Sequence, residues 1–316
     1  MEAFAIAIVN KVEGCWCVMK FCACLFILFA AVVNAGPSFA YILQGEKFAK
    51  SKEAFVKKIN ESDRQFVVMD YTFDGSSKDG MWQPQEIAAM KKSDSSRRIV
   101  AYLSIGEAED YRPYWKKEWK EKRPGFLVSE NHEWKGNFRV RYWRKDWQAI
   151  VFSYLETIVN QGFDGVYLDI VDGYEFFENG KDNCINPETK QTYRQDMKSF
   201  VTDIVKRAKQ HSAKFMVIQQ NAQSLFKDTD YMALLDGIGA EDVFTNGKRP
   251  QKEREINKTL GYLKKAQDKG LTVVLVDYPK DAKLQQFVRT QAAKCGLDVL
   301  ITDRELTKLG SFFSAK

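Results

Sequence analysis

The sequence predicts an α/β fold, a (β/α)8 TIM barrel forming one domain over residues 36–316. Three observations point there. Short apolar, β-branched or aromatic runs alternate with longer amphipathic stretches along nearly the whole chain. The short runs are apolar almost throughout, as parallel strands buried on both faces must be. Carboxylates and amides collect where these runs end, and a parallel barrel is the architecture that gathers all its strand ends on one face.

Nine strands are expected, at 39–43, 66–70, 98–104, 138–142, 165–169, 215–219, 237–241, 272–277 and 299–302. A barrel uses eight, so either 39–43 or 138–142 is accessory. An open doubly wound sheet would show the same alternation, but no glycine-rich turn follows the first strand, which weakens a dinucleotide-binding reading. Between the strands, 84–92 opens on Pro84, suited to the first turn of a helix. The stretch 147–162 places Ile150, Val151, Tyr154, Leu155 and Ile158 on one face and closes at Gly162. In 192–211, Met197, Phe200, Val201, Ile204, Val205 and Ala208 recur at helical spacing, and 252–270 and 283–296 each end on glycine.

The 316 residues are 45% hydrophobic and 28% charged, with a formal net charge of +6. That excess is small for the length, and no basic run with interleaved aromatics suggests a nucleic-acid partner; "RYWRKDW" (141–147) comes nearest and reads better as a helix start. Residues 1–35 are expected to be a signal peptide. Lys20 precedes an apolar run from Phe21 to Val33, and Val33-Asn34-Ala35 fits the small-x-small cleavage rule, with Met19 an alternative start. The run is short of the roughly 20 residues a spanning helix needs. The expectation is therefore a secreted or periplasmic protein with no stable span after cleavage, an uncleaved N-terminal anchor being the alternative. Cys15, Cys17, Cys22 and Cys24 lie in this leader, so only Cys184 and Cys295 remain, and neither a disulfide framework nor a zinc spacing is present.

Strand ends carry the chemistry. Asp70 closes one strand and Asp74 follows; Glu107 and Glu109 follow another; "GVYLD" ends on Asp169, with Asp172 three residues on. Gln220 and Asn221 follow 215–219, "GIGAE" ends on Glu241, and "TVVLVD" ends on Asp277, followed by Tyr278. Asp74-Gly75 and Asp172-Gly173 fit turns. Asp169 and Glu241 are different, because each terminates a buried apolar strand, where an idle carboxylate is costly to desolvate.

With only His132 and His211 in the chain and no GxSxG, Ser-His-Asp chemistry has no plausible base and a histidine-rich zinc site is excluded. Carboxylate chemistry remains: a pair of acids across a glycosidic bond, or several acids holding Mg²⁺. Aromatics favour sugar. Trp82, Trp115, Trp119, Trp134, Trp143 and Trp147 lie in or beside the segments between strands, although Trp147 suits helix packing better. Tyr71, Tyr111, Tyr174 and Tyr278 follow strand ends.

These blocks resemble one family. "GFDGVYLDIVDGYE" is similar to the GFDGV-x-x-D-x-x-D segment of glycoside hydrolase family 114, the endo-α-1,4-polygalactosaminidase-like barrels. "RIVAYLSIGEAEDYRPYW" resembles its ICYFSAGxxExxR strand, "FMVIQQNAQ" its KNA strand end, "IGAEDVF" its NEQCF strand and "VDYP" its EYP, all in the same order. Departures are SIG for SAG, Ile170 for an asparagine and Gln220 for a lysine, which bear on substrate more than on reaction class. The resemblance implies a secreted, cofactor-free and metal-free endo-acting hydrolase of galactosamine-containing polysaccharide. Its two catalytic carboxylates fall on Asp169 and Glu241. Glu241 is the expected proton donor and Asp169 the nucleophile or base. Asp70, Tyr71, Glu107, Asp172, Tyr174, Gln220, Asn221, Asp277 and Tyr278 are the expected substrate contacts, with Asp172 also suited to a turn that aims Asp169. A monomer is expected, and a cationic amino-sugar polymer would be drawn to an acidic mouth on a basic protein. The alternatives are a non-catalytic carbohydrate-binding barrel and a Mg²⁺-dependent barrel enzyme.

Overall fold

The computed structural model describes residues 37–315, and the expected leader, residues 1–35, lies outside them. Eight parallel strands follow one another around a barrel in sequence order: β1 (Phe39–Ile42), β2 (Phe66–Met69), β3 (Arg98–Ser104), β7 (Gly165–Asp169), β8 (Met216–Gln220), β9 (Gly237–Glu241), β10 (Thr272–Asp277) and β11 (Val299–Ile301). A final strand, β12 (Ser311–Phe313), pairs antiparallel with β11. The seam between β1 and β11 is bridged by Leu43 and Gln44 N–H, which both donate to Leu306 O, at 3.1 and 3.3 Å. This is a (β/α)8 barrel.

The accessory strand among the nine expected is 138–142. It forms β6 (Asn137–Val140), the middle of a separate antiparallel sheet with β4 (Glu107–Glu109) and β5 (Leu127–Glu130), inserted after β3. Strands β4, β5 and β12 are three or four residues long, too short to show a period in the sequence.

The helices form for local reasons. α2 (Lys52–Glu61), which the sequence reading did not anticipate, is capped by Ser51, whose hydroxyl accepts from Ala54 N–H. α3 (Pro84–Ala89) has Pro84 in its first turn and a capping box between Gln83 and Glu86. α6 (Tyr193–His211) buries Met197, Phe200, Val201, Ile204, Val205 and Ala208, the stripe its periodicity predicted. α9 (Ala282–Cys295) is capped by Asp281 and ends on left-handed Gly296.

Two apolar cores result. One lies between barrel and helices and includes Trp82 and Trp147. The other fills the barrel with Phe39, Tyr41, Phe66, Val68, Val100, Tyr102, Tyr167, Ile218, Val274, Val276, Tyr278 and Leu300. Period-two alternation assigns the rest: Asp70, Asp169, Gln220 and Glu241 share the inward phase of their strands, whereas Tyr71 and Asp277 share the outward one. The interior is crowded where β9 contributes glycine. A Cβ at Gly239 would overlap the Tyr167 hydroxyl, and that hydroxyl is buried without a hydrogen-bond partner. Gly239→Ala is therefore expected to destabilise the protein by about 1–3 kcal/mol through overpacking. Tyr167→Phe, which removes the unpaired oxygen, should recover part of that loss in the double variant. Thermal denaturation of the three variants checks both; an unshifted midpoint in Gly239→Ala would contradict this account.

Candidate active site

Asp169 and Glu241 stand at the C-terminal ends of β7 and β9, on the barrel face where sites of this architecture form. Each is followed by a non-glycine residue in the left-handed region, Ile170 (φ 56°) and Asp242 (φ 52°), and the end of β8 between them does the same at Asn221 (φ 53°). The chain thus turns sharply after each carboxylate and holds its backbone open to the mouth. Strain of this kind persists only where surrounding bonds over-determine it.

Those bonds are present. Tyr102 O–H donates to Asp169 Oδ2 at 2.7 Å, and Ile170 N–H donates to Oδ1 at 2.8 Å. Tyr278 O–H donates to Glu241 Oε1, and Glu241 N–H donates to Asn221 Oδ1 at 3.1 Å. Asp242 is clamped by Arg304 Nη2 at 2.7 and 2.8 Å, and the same guanidinium lies 4.5 Å from the Tyr278 ring. Below the acids, Tyr41 O–H crosses the barrel to Gln220 Oε1 at 3.0 Å, and the Tyr41 and Tyr167 rings meet at 5.3 Å.

This floor decides the electrostatics. Burial pushes the Asp169 carboxyl up to about 6, against the pull of its bonds to Tyr102 and Ile170 N–H. Burial, then the Asp169 charge, pushes Glu241 up to about 7, against its bond from Tyr278. The Tyr41, Tyr102, Tyr167 and Tyr278 hydroxyls are all raised well above their usual range, first by burial and then by these acids. They remain neutral donors at any working pH.

The other expected contacts divide. Asn221, Gln220 and Tyr278 stand at the mouth but are already engaged in holding Glu241 or the floor. Asp172 is half-buried on the turn after Asp169. Asp277 is 0% exposed and faces outward, accepting from Phe244 N–H at 2.9 Å and from Thr245 N–H and Oγ1; it pins the loop that follows Glu241. Asp70 is buried in an ion triad: Arg112 Nη1 binds it at 2.8 Å and Arg112 Nε binds Glu109 at 2.6 Å. Tyr71 pairs with the Tyr154 hydroxyl at 2.7 Å in the helix layer, and Tyr174 is buried with its hydroxyl on Ser224 Oγ at 2.8 Å. For these four, geometry describes scaffolding rather than a surface open to a sugar ring. Glu107 is enclosed beside the mouth. Among the tryptophans, Trp82, Trp119 and Trp147 are core residues.

The sequence reading missed Tyr41, Tyr102, Tyr167 and Arg304. The three tyrosines sit at alternate, inward-phase positions of their strands, a signal that becomes usable once the barrel's inner phase is known. Arg304 had no signal, since it follows a three-residue strand.

The profile of glycoside-hydrolase family GH114 matches residues 31–315. The chain belongs to that family. Over 277 residues it is 35% identical to an uncharacterised protein of Methanocaldococcus jannaschii, covering 83% of this chain and 77% of that one. Over 253 residues it is 33% identical to one of Deinococcus radiodurans, covering 79% and 77%. Among solved structures, the glycoside hydrolase domain of Pseudomonas aeruginosa PelA superposes with a TM-score of 0.63 at 13% identity, over 87% of this chain and 98% of that one. Aspergillus fumigatus Ega3 in complex with galactosamine superposes with a TM-score of 0.63 at 17% identity, over 89% and 95%. At such identities these two likenesses are of fold. As a GH114 member, the protein is a glycoside hydrolase. No helix among the described residues is long and apolar enough to cross a membrane.

Both mouth acids bind protons more tightly when folded than in an unfolded chain, where Asp and Glu titrate near about 3.9 and 4.3. The folded protein then loses stability as pH rises from about 4 through about 7 and keeps that loss above. Asp169→Asn and Glu241→Gln should each raise the thermal midpoint at pH 8 and leave it nearly unchanged at pH 4. A lower midpoint than wild type at pH 8 in both variants would show the carboxylates to be stabilising instead.

Proposed function

We propose that this GH114 enzyme is an extracytoplasmic, endo-acting hydrolase of galactosamine-containing polysaccharide, working as a monomer with Asp169 and Glu241 as its carboxylate pair. One observation carries the proposal. Two acids end β7 and β9 in the inward phase, on either side of β8; each receives a tyrosine hydroxyl, and each is raised by burial. The galactosamine bound to Ega3 and the acidic mouth of a basic chain support the substrate class.

The roles follow from the environments. An acid that must hold a proton near neutrality needs the higher pKa, and Glu241 has it, near 7. It protonates the departing glycosidic oxygen. Asp169, near 6 and bonded by two donors, is the carboxylate of the pair, acting as nucleophile or as base toward water. Tyr102 and Tyr278 fix the two side chains. Their neutral hydroxyls also lower the acids' pKa values, so the pair straddles near-neutral pH instead of being held protonated. Among the described residues, no group of three or more His, Cys, Asp or Glu side chains is arranged to share a metal ion.

Release of reducing ends from partly de-N-acetylated α-1,4-galactosamine polymer tests this. Asp169→Asn and Glu241→Gln should each lose about 10²–10⁴-fold in kcat, while EDTA leaves wild type unaffected. Activity abolished by EDTA, or retained in both variants, would overturn the assignment. The pair titrates together, so kcat/KM should follow a bell with limbs near about 6 and about 7. Removing the hydroxyl in Tyr278→Phe lets the Glu241 pKa rise, so the alkaline limb should move to higher pH. In Tyr102→Phe the acid limb should move up instead. Shifts in the opposite directions would reverse the two roles.

A further inference from the structure

The chain after β3 does not return at once to the helix layer. It forms the β4–β6–β5 sheet, pressed against the turn that follows β7. Ile105 N–H donates to Asp169 O at 3.0 Å, and Val140 N–H to Gly106 O at 3.2 Å. A Cβ at Gly106 would overlap the Ile170 carbonyl oxygen, and one at Gly173 would lie 3.2 Å from Ile170 Cγ2 and 3.6 Å from Gly106 Cα. Glycine at both positions lets the inserted sheet seat on the turn. The residue this delivers to the flank of Asp169 is Glu107.

Glu107 is 2% exposed. Its Oε1 accepts from Asn131 Nδ2 at 2.8 Å, while Oε2 is buried with no partner. Arg139 faces it across the β4–β6 ladder. That guanidinium is also engaged elsewhere: it lies 4.6 Å from the Phe176 ring and donates to Glu130 O at 3.3 Å and Asn131 Oδ1 at 3.4 Å. Burial raises the Glu107 carboxyl despite its neighbours, and the Asp169 charge adds to the rise. Asp172 is raised to about 7, by burial first and then by Asp169, Glu175 and Glu107. Glu107 and Asp172 thus lie on the same side of Asp169, where Gly106 and Gly173 approach each other, and the Arg139 guanidinium stands opposite Glu107 alone. Beside them α5 (Tyr174–Glu178) presents Phe176, 45% exposed, as an apolar face. A buried carboxylate oxygen without a donor requires an explanation, and a cation placed beside neighbouring carboxylates favours their charged forms.

We propose that Asp172 and Glu107 form a subsite for the protonated amine of an amino sugar beside the bond to be cleaved. Asp172 makes the direct contact, Glu107 is the enclosed counter-charge behind it, and Phe176 takes the apolar face of the ring. The subsite rests on the hydrolase reading above and adds to it the residues that distinguish a free amine from an acetamide. An N-acetyl group removes the charge these carboxylates attract and adds bulk against the seated turn.

Two probes test it: an α-1,4-galactosamine oligomer with free amines, and the same oligomer fully N-acetylated. Wild type, Asp172→Asn and Glu107→Gln are compared by reducing-end release and by calorimetric titration. Both substitutions are isosteric, and Glu107→Gln keeps the oxygen that Asn131 binds. Wild type should favour the free-amine oligomer. Each variant should lose about 10-fold or more in affinity for it, with KM moving more than kcat and a clearly smaller loss on the N-acetylated oligomer. Equal losses on both oligomers, or none, would overturn the subsite. Turnover without amine selectivity would overturn the subsite and leave the hydrolase; amine-selective binding without turnover, lost in the variants, would do the reverse. Binding of neither oligomer overturns both.

Discussion

The structure depends on one constraint: two carboxylates are held at the top of a barrel whose interior beneath them is filled by side chains. Tyr41, Tyr102, Tyr167 and Tyr278 fill the space where an ion would otherwise be hydrated. Their hydroxyls replace only part of the lost hydration, since Tyr102 and Tyr278 each give one bond and the Tyr167 hydroxyl gives none. The consequence is a pair of acids raised into the near-neutral range. The burial that raises them is unfavourable for stability wherever the acids are ionised.

The surrounding architecture keeps those acids in place against this unfavourable term. Three consecutive strand ends turn through left-handed residues, and side chains tie each turn down. Gln219 Nε2 bonds Asn221 O at 2.6 Å and Ala222 O at 3.1 Å, and is itself held by Tyr231. Asp277 pins the loop beyond Glu241, and Arg304 clamps Asp242. On the other flank, the Asp70–Arg112–Glu109 triad joins the end of β2 to the inserted sheet. Such a triad adds little net stability, because each ion must be desolvated; its geometric specificity is the more defensible role. Most polar groups near the mouth therefore hold other groups rather than wait for a ligand. This makes the unpartnered oxygen of Glu107 stand out.

Much of this was legible in the sequence, for reasons that can be named. Asp169 and Glu241 stand out because a carboxylate that ends an apolar strand conflicts with its surroundings, and the structure has both at strand ends on one barrel face. The stripe of α6 and the cap signal at Pro84 were found because helix periodicity and capping are local. The inserted sheet was half-seen: β6 showed as an apolar run, but its partners β4 and β5 were too short and its place outside the barrel has no sequence mark. Asp277 and Tyr71 were misread as substrate contacts for one reason. Position at a strand end says nothing about which face a side chain takes, and a one-residue change of phase separates the mouth from the helix layer.

The sequence by itself determined the barrel strands, most of the helices between them and the family, and it put Asp169 and Glu241 at strand ends, because hydrophobic pattern and motif are properties of neighbouring residues. Tertiary structure decided which strand was accessory, which acids face inward, that tyrosines from four strands form the floor, and that Gly106 seats Glu107 beside Asp169. These are contacts between segments separated by tens to hundreds of residues. They exist only once the barrel closes and fixes the phase of each strand relative to its neighbours.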